Sequence, residues 1–152
     1  MIGMRFVATT RIAASAEAVF DWHEAPGAFE RLTPPWERVR VVRHEGGIRD
    51  GARVSLRVGP PLVSLRWDLE HRDYQYGRSF TDRQIRGPFR AWTHVHRMTP
   101  DGPGACVLED TIEYALPFGM LGRVFGRPIV QRKLRRLFAF RHRVTKSACE
   151  ST

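Results

Sequence analysis

Apolar and polar residues alternate with a period of two over much of the chain, the spacing that sends successive side chains to opposite faces of a strand. The alternation covers Arg5 to Ile12, Arg38 to His44, Ala52 to Val58, Ser64 to Tyr74, Arg78 to Arg86, Arg90 to Thr99 and Ala105 to Leu116. Turn chemistry separates the last six: Gly46-Gly47 with Asp50-Gly51, Gly59-Pro60-Pro61, Tyr76-Gly77, Gly87-Pro88, and Pro100-Asp101-Gly102-Pro103-Gly104. Six strands on such short connections predict an antiparallel meander, and Arg5 to Ile12 makes a seventh strand.

The period changes in two places. After the first strand, Ser15 is placed to cap a helix carrying Val19, Phe20 and Trp22; Pro26-Gly27 ends it, and Ala28 to Leu32 forms a second short helix closed by Thr33-Pro34-Pro35-Trp36. Trp22 and Trp36 are expected to pack between these helices and the sheet. From Pro117 to about Lys146 the chain reads as one long helix with a loosened first half. Val130, Leu134, Leu137, Phe138 and Val144 share one face, and Arg132, Lys133, Arg135, Arg136 and Arg143 fill the others. Ahead of it, Phe118, Leu121 and Phe125 keep a helical spacing, but Gly119, Gly122, Gly126 and Pro128 predict a kink or break near Arg127.

The order strand, two short helices, six strands, long helix fits an α+β fold: a curved seven-stranded antiparallel sheet with the C-terminal helix across its concave face. Residues 1–152 read as a single domain with one core, since the chain is 42% hydrophobic and lacks internal linkers or repeats. There is no apolar run of membrane-span length, and Met1 to Thr10 lacks the core of a signal peptide, so a cytoplasmic location is expected. Cys106, in a strand, and Cys149, in a frayed tail, read as two reduced thiols.

Charge changes the picture only at the C-terminus. The net charge is +9, and nine of the Lys and Arg fall between Arg123 and Lys146, with no Asp or Glu from Tyr114 to Cys149. All basic residues except Lys133 and Lys146 are arginine, which ties the high pI as much to residue usage as to partners. With the interleaved aromatics assigned to the core, the basic face is read as solvated. No specific nucleic-acid partner and at most weak contact with an anionic membrane surface are expected.

Strand parity supplies the candidate chemistry. In Arg90 to Met98 it groups Trp92, His94, His96 and Met98; in Arg78 to Arg86 it groups Phe80, Asp82 and Gln84; in Ala105 to Tyr114 it groups Cys106, Leu108, Asp110, Ile112 and Tyr114. Trp67 points inward with Leu65 and Leu69. A meander then brings Asp82, Gln84, His94, His96 and Asp110 together inside an aromatic-lined hollow. Buried polar groups require partners, so the set reads as a structural network, as recognition of a ligand's polar head, as acid/base machinery of His94, His96 and Asp110, or as a metal site. The last is the least favoured, because a single His-x-His on a strand is a weak signal. No cofactor or metal is assigned, and no nucleophile stands out among Ser64, Ser79, Cys106 and Cys149.

The order of elements, with Ala16-Glu17-Ala18-Val19-Phe20-Asp21-Trp22-His23, Pro26-Gly27-Ala28-Phe29-Glu30-Arg31-Leu32-Thr33-Pro34-Pro35-Trp36 and Gly47-Ile48-Arg49-Asp50-Gly51, resembles the START/Bet v 1-like (SRPBCC) superfamily over nearly the whole chain. It is most similar there to bacterial modules sometimes fused ahead of an epimerase-like domain and labelled cell-division inhibitor. The resemblance implies a helix-grip fold with a hydrophobic cavity, used by relatives for lipids, sterols, plant hormones and polyketides, with a minority acting as cyclases or dehydratases. The chain has no Gly-x-Gly-x-x-Gly, so no dinucleotide function is carried over. The expected function is binding of a small, largely hydrophobic molecule between sheet and C-terminal helix, with Trp67, Phe80, Asp82, Gln84, Trp92, His94, His96, Asp110 and Tyr114 as ligand-binding candidates. A cyclase or dehydratase in the same cavity, and a protein-interaction module with a filled core, are the alternatives.

Overall fold

The computed structural model describes residues 3–151. Seven strands, β1 (Met4–Ile12), β2 (Val39–Glu45), β3 (Arg53–Val58), β4 (Leu65–Gln75), β5 (Ser79–Arg86), β6 (Ala91–Pro100) and β7 (Cys106–Ala115), form one antiparallel sheet in the order β1-β7-β6-β5-β4-β3-β2. Helices α1 (Ala16–Glu24) and α2 (Ala28–Arg31) follow β1. After β7 come a single turn, α3 (Gly119–Leu121), a π-helical turn (Gly122–Gly126) and the long helix α4 (Arg127–Glu150) across the concave face. This is the expected α+β helix-grip architecture.

Local chemistry sets these boundaries. The Ser15 hydroxyl accepts from the Ala18 N–H at 3.1 Å and starts α1. The strand pairing has three irregularities, between Val41 and Arg43, between Asp68 and Leu69, and between Arg72 and Gln75, where Asp73 takes a positive φ of 54°. At the β5–β6 hairpin only glycine fits position 87, because a Cβ there would overlap the side chains of Trp67 and Gln84. Where a kink or break is expected near Arg127, the chain instead passes through the π turn, which ends at Gly126, and continues in right-handed helical backbone into α4.

Two apolar clusters lie between sheet and helix. One contains Phe6, Val54, Leu69, Trp92, Tyr114, Leu134 and Phe138; the other contains Ile12, Val19, Phe20, Phe80, Met98, Leu108 and Cys149. Val130 and Leu137 pack against the first, as the helical stripe predicts. Beyond Phe138, however, the buried positions of α4 are His142, Thr145 and Cys149, with Val144 only half-buried. Cys149 therefore sits in ordered helix rather than in a frayed tail. Trp36 also departs from expectation: its ring packs edge-on against Phe140 of α4 at 5.4 Å, with Arg136 over its face at 4.2 Å.

The larger departure is at Phe118, Leu121 and Phe125, which lie in solvent instead of the core. The glycines face inward in their place: a Cβ on Gly122 would overlap the Pro117 carbonyl oxygen, and one on Gly126 would come within 3.0 Å of Leu116 Cδ1. Among the described residues no helix is long and apolar enough to cross a membrane.

Candidate functional site

Along the inward-facing rows of β6 and β7 the side chains run apolar, polar, apolar, and the rows of β5 and α4 turn polar at the same level. On β6 the row is Trp92, His94, His96, Met98; on β7 it is Tyr114, Ile112, Asp110, Leu108; on β5, Phe80 precedes Asp82; on α4, His142 follows Phe138. Register aligns these interruptions, with Asp82 opposite His94 and His96 opposite Asp110. The result is a polar layer between the two apolar clusters. All five of these side chains are buried.

The layer is tightly hydrogen-bonded. Asp110 accepts from His94 Nε2 at 2.7 Å and from His142 Nε2 at 2.6 Å, one bond on each carboxylate oxygen. His96 bridges both acids, with Nε2 2.8 Å from Asp82 and Nδ1 3.0 Å from Asp110. An imidazole that donates from both nitrogens is protonated. His96 fits that: burial opposes its charge, but the bonds to Asp110 and Asp82 outweigh burial and raise its pKa to about 9. His94 goes the other way, lowered by burial and by the neighbouring His96 charge. As a neutral ring donating from Nε2, it leaves Nδ1 as a lone pair, 3.5 Å from Asp82. Burial also pushes the two carboxyls up, but the imidazoles more than reverse this, and both Asp82 and Asp110 are held below the usual carboxylate range.

Two further histidines flank the layer. His23 on α1 bonds the Val19 carbonyl through Nδ1 at 2.8 Å, with its ring centroid 6.2 Å from that of His96; burial lowers its pKa to about 4. His71, opposite Asp82 in the register, is buried with no hydrogen-bond partner for Nδ1 among the described residues. Its parity matches Trp67 and Leu69, so alternation extended along β4 finds it. His142 lies on the Leu134–Phe138 stripe, one turn on, but a search for apolar periodicity passes over an imidazole.

The other candidates are placed as follows. Phe80 stacks on His96 at 4.1 Å and 11° between planes. Trp67, Trp92 and Phe89 pack together at 4.8–5.6 Å on the inner face. The Tyr114 hydroxyl accepts from Gln131 Nε2 of α4 at 2.9 Å. Gln84 is separate from the polar layer: its amide bonds the Phe89 backbone at 2.7 and 3.3 Å, because the nearby hairpin offers unpaired main-chain groups. Both indole N–H groups of Trp67 and Trp92 are buried without an acceptor among the described residues.

A concavity does open at the flank, between β1 and α4. It is a groove of about 800 Å³ with Phe6, Ala8, Phe138 and Ala139 along it and Arg135, Arg143 and the ion pair of Lys146 with Glu150 at its rim. Thr10 and His142 also line it. Thr10 Oγ1 lies 2.7 Å from His142 Nδ1, which accepts the hydroxyl proton when Nε2 donates to Asp110. The chain Thr10–His142–Asp110 thus joins the groove to the buried layer. As for metals, Asp82, His94 and His96 offer ligand atoms within 4.8 Å of one another. A cation seated there would have to displace the proton His96 donates to Asp82.

Solved structures share this fold at low identity. The Zhui aromatase/cyclase from Streptomyces sp. R1128 matches with a TM-score of 0.75 at 17% identity, over 98% of this chain and 94% of that one. Norcoclaurine synthase from Thalictrum flavum, in complex with dopamine and hydroxybenzaldehyde, gives 0.73 at 14%, over 99% and 89%. A START superfamily protein from Mycobacterium smegmatis gives 0.69 at 15%, over 97% of each chain. None of the curated proteins matches by sequence. The profile described as polyketide cyclase/dehydrase and lipid transport matches residues 4–148, and with that span the chain belongs to this family, within the START/Bet v 1-like superfamily.

Proposed function

We propose that the protein binds a small, largely apolar or aromatic molecule in the groove between β1 and α4, with its polar head directed at Thr10 and His142. One observation carries the reading: the groove, apolar along its length and basic at its rim, meets the buried His–Asp layer at these two residues. A few convergent polar atoms at one end of an apolar lining are what a small-molecule site needs. At the rim Arg135 and Arg143 favour an acidic or enolic head, while Lys146 is paired with Glu150. The family's description and the ligands in the norcoclaurine synthase structure support an apolar or aromatic body.

The test uses 1-anilinonaphthalene-8-sulfonate, an aromatic body with an anionic head, followed by fluorescence titration. Ala139 is exposed on the groove's helical wall, so Ala139→Trp fills the groove without disturbing the core. Saturable binding that Ala139→Trp abolishes and His142→Gln weakens supports the site. Equal binding by Ala139→Trp removes the groove from the account.

A second reading, acid/base catalysis of a cyclisation or dehydration, is favoured by the opposed shifts of His96 and His94. Neighbouring groups whose environments push their pKa values apart are poised as acid and base.

A further inference from the structure

The segment ahead of α4 turns its bulky side outward. Phe118, Met120, Leu121, Val124, Phe125 and Ile129 are all exposed, Phe118 by 84% and Phe125 by 68%. Gly122 and Gly126, one turn apart, occupy the side that touches Leu116 and Pro117, which leaves the large residues no surface of this chain to cover. Scattered exposed apolar residues need no explanation, but a continuous patch does.

Strand direction puts a second apolar tip at the same end of the sheet. Ala115 of β7 pairs with Ala91 at the start of β6, Arg86 lies at the end of β5 beside Asp68 of β4, and Leu65 at the start of β4 pairs with Val58. The β3–β4 loop therefore leaves the sheet at the end where residues 116–129 begin. At its tip Leu62 is 98% exposed, with Val63 beside it. Interleaved with the patch are Arg123 and Arg127, followed by Arg132 and Lys133, with no acidic residue between Tyr114 and Cys149. A second copy of this chain would set these cations against one another. A bilayer rich in anionic lipid complements both features, since the apolar face enters the acyl boundary while the arginines reach phosphates.

We propose that this end of the protein docks on an anionic phospholipid surface, with Phe118 and Phe125 entering the interface and Arg123 and Arg127 pairing with headgroups. The expectation of at most weak membrane contact placed these aromatics in the core; in solvent, they join the basic residues in one amphipathic face. The proposal stands apart from the groove and its ligand.

Co-sedimentation with vesicles tests it, using equal parts phosphatidylcholine and phosphatidylglycerol against phosphatidylcholine alone. The protein is expected to sediment with the mixed vesicles and much less with the neutral ones. The double variant Phe118→Ser with Phe125→Ser is expected to lose about tenfold or more in partitioning, and Arg123→Glu with Arg127→Glu a comparable factor. Both pairs alter the outward face, so circular dichroism and thermal unfolding should match the parent. Failure to bind mixed vesicles overturns the proposal. So does binding that the Phe replacements leave unchanged, which would assign it to the basic face of α4. Concentration-dependent dimers in sedimentation velocity, lost in the same Phe variant and without vesicle binding, would assign the patch to a second copy and also overturn it.

Discussion

Replacing Asp110 by Asn probes what holds α4 to the sheet. The carboxylate receives His94 on one oxygen and His142 on the other, and His96 lies 3.0 Å from the first, so one residue of β7 ties β6 to α4. Asn keeps the shape but has one acceptor. With its oxygen toward His94 and His96, its NH2 faces His142 Nε2, and the conflict is relieved only if His142 changes tautomer and Thr10 turns its hydroxyl to accept. With the amide reversed, the NH2 faces His96, which already needs both nitrogens as donors. Either arrangement leaves the His96 imidazolium with Asp82 as its one remaining acid. Removing one partner of a buried charge pair costs about 3–5 kcal/mol, and the His142 rearrangement moves the expected loss to the low end, about 3 kcal/mol. At a urea m-value of about 1–3 kcal/mol per molar, the midpoint should fall by roughly 1–3 M. Urea denaturation followed by tryptophan fluorescence reads this directly. A loss below about 1 kcal/mol, the net value of an ordinary hydrogen bond, would refute the reasoning that the layer clamps helix to sheet.

Three further outcomes are expected. Leu134→Ala should cost about 2–5 kcal/mol in the same assay, because Leu134 is buried against the first apolar cluster. Stability should peak between two flanks of pH. His96, raised to about 9, contributes fully below its unfolded value of about 6.5 and loses its contribution as pH rises toward 9. His23, lowered to about 4, resists charging, so the fold loses stability as pH falls from about 6.5 toward 4, by roughly 3 kcal/mol in all. Urea midpoints across pH check both flanks, and His23→Phe should flatten the acid one. Finally, His142→Gln separates binding from chemistry once a ligand is identified: a recognition role predicts about 1–3 kcal/mol of lost affinity, whereas a catalytic role predicts lost turnover with affinity retained.

Alternation was enough to place His94, His96, Asp82 and Asp110 on one inner face, because a strand's period of two leaves no choice of side once one aromatic is known to be buried. It did not single out Thr10 or His142. Thr10 looks like any polar residue of an edge strand, and His142 interrupts an apolar stripe whose next members, Thr145 and Cys149, are weakly apolar. Gln84 shares the correct parity yet bonds Phe89, since a side chain near a hairpin finds main-chain groups before it finds the core. Phe118, Leu121 and Phe125 have helical spacing but lie outside, because close packing of Gly122 and Gly126 on Pro117 and Leu116 fixes the rotation of that segment. Periodicity identifies a face; which face is buried depends on what the rest of the fold brings against it.

The central claim is a ligand seated between β1 and α4, and native mass spectrometry of protein purified gently from its own host tests it most directly. A small organic adduct is expected on the native chain and is expected to be missing from Ala139→Trp prepared in the same way. A native chain without any adduct, or the same adduct on both proteins, would contradict it.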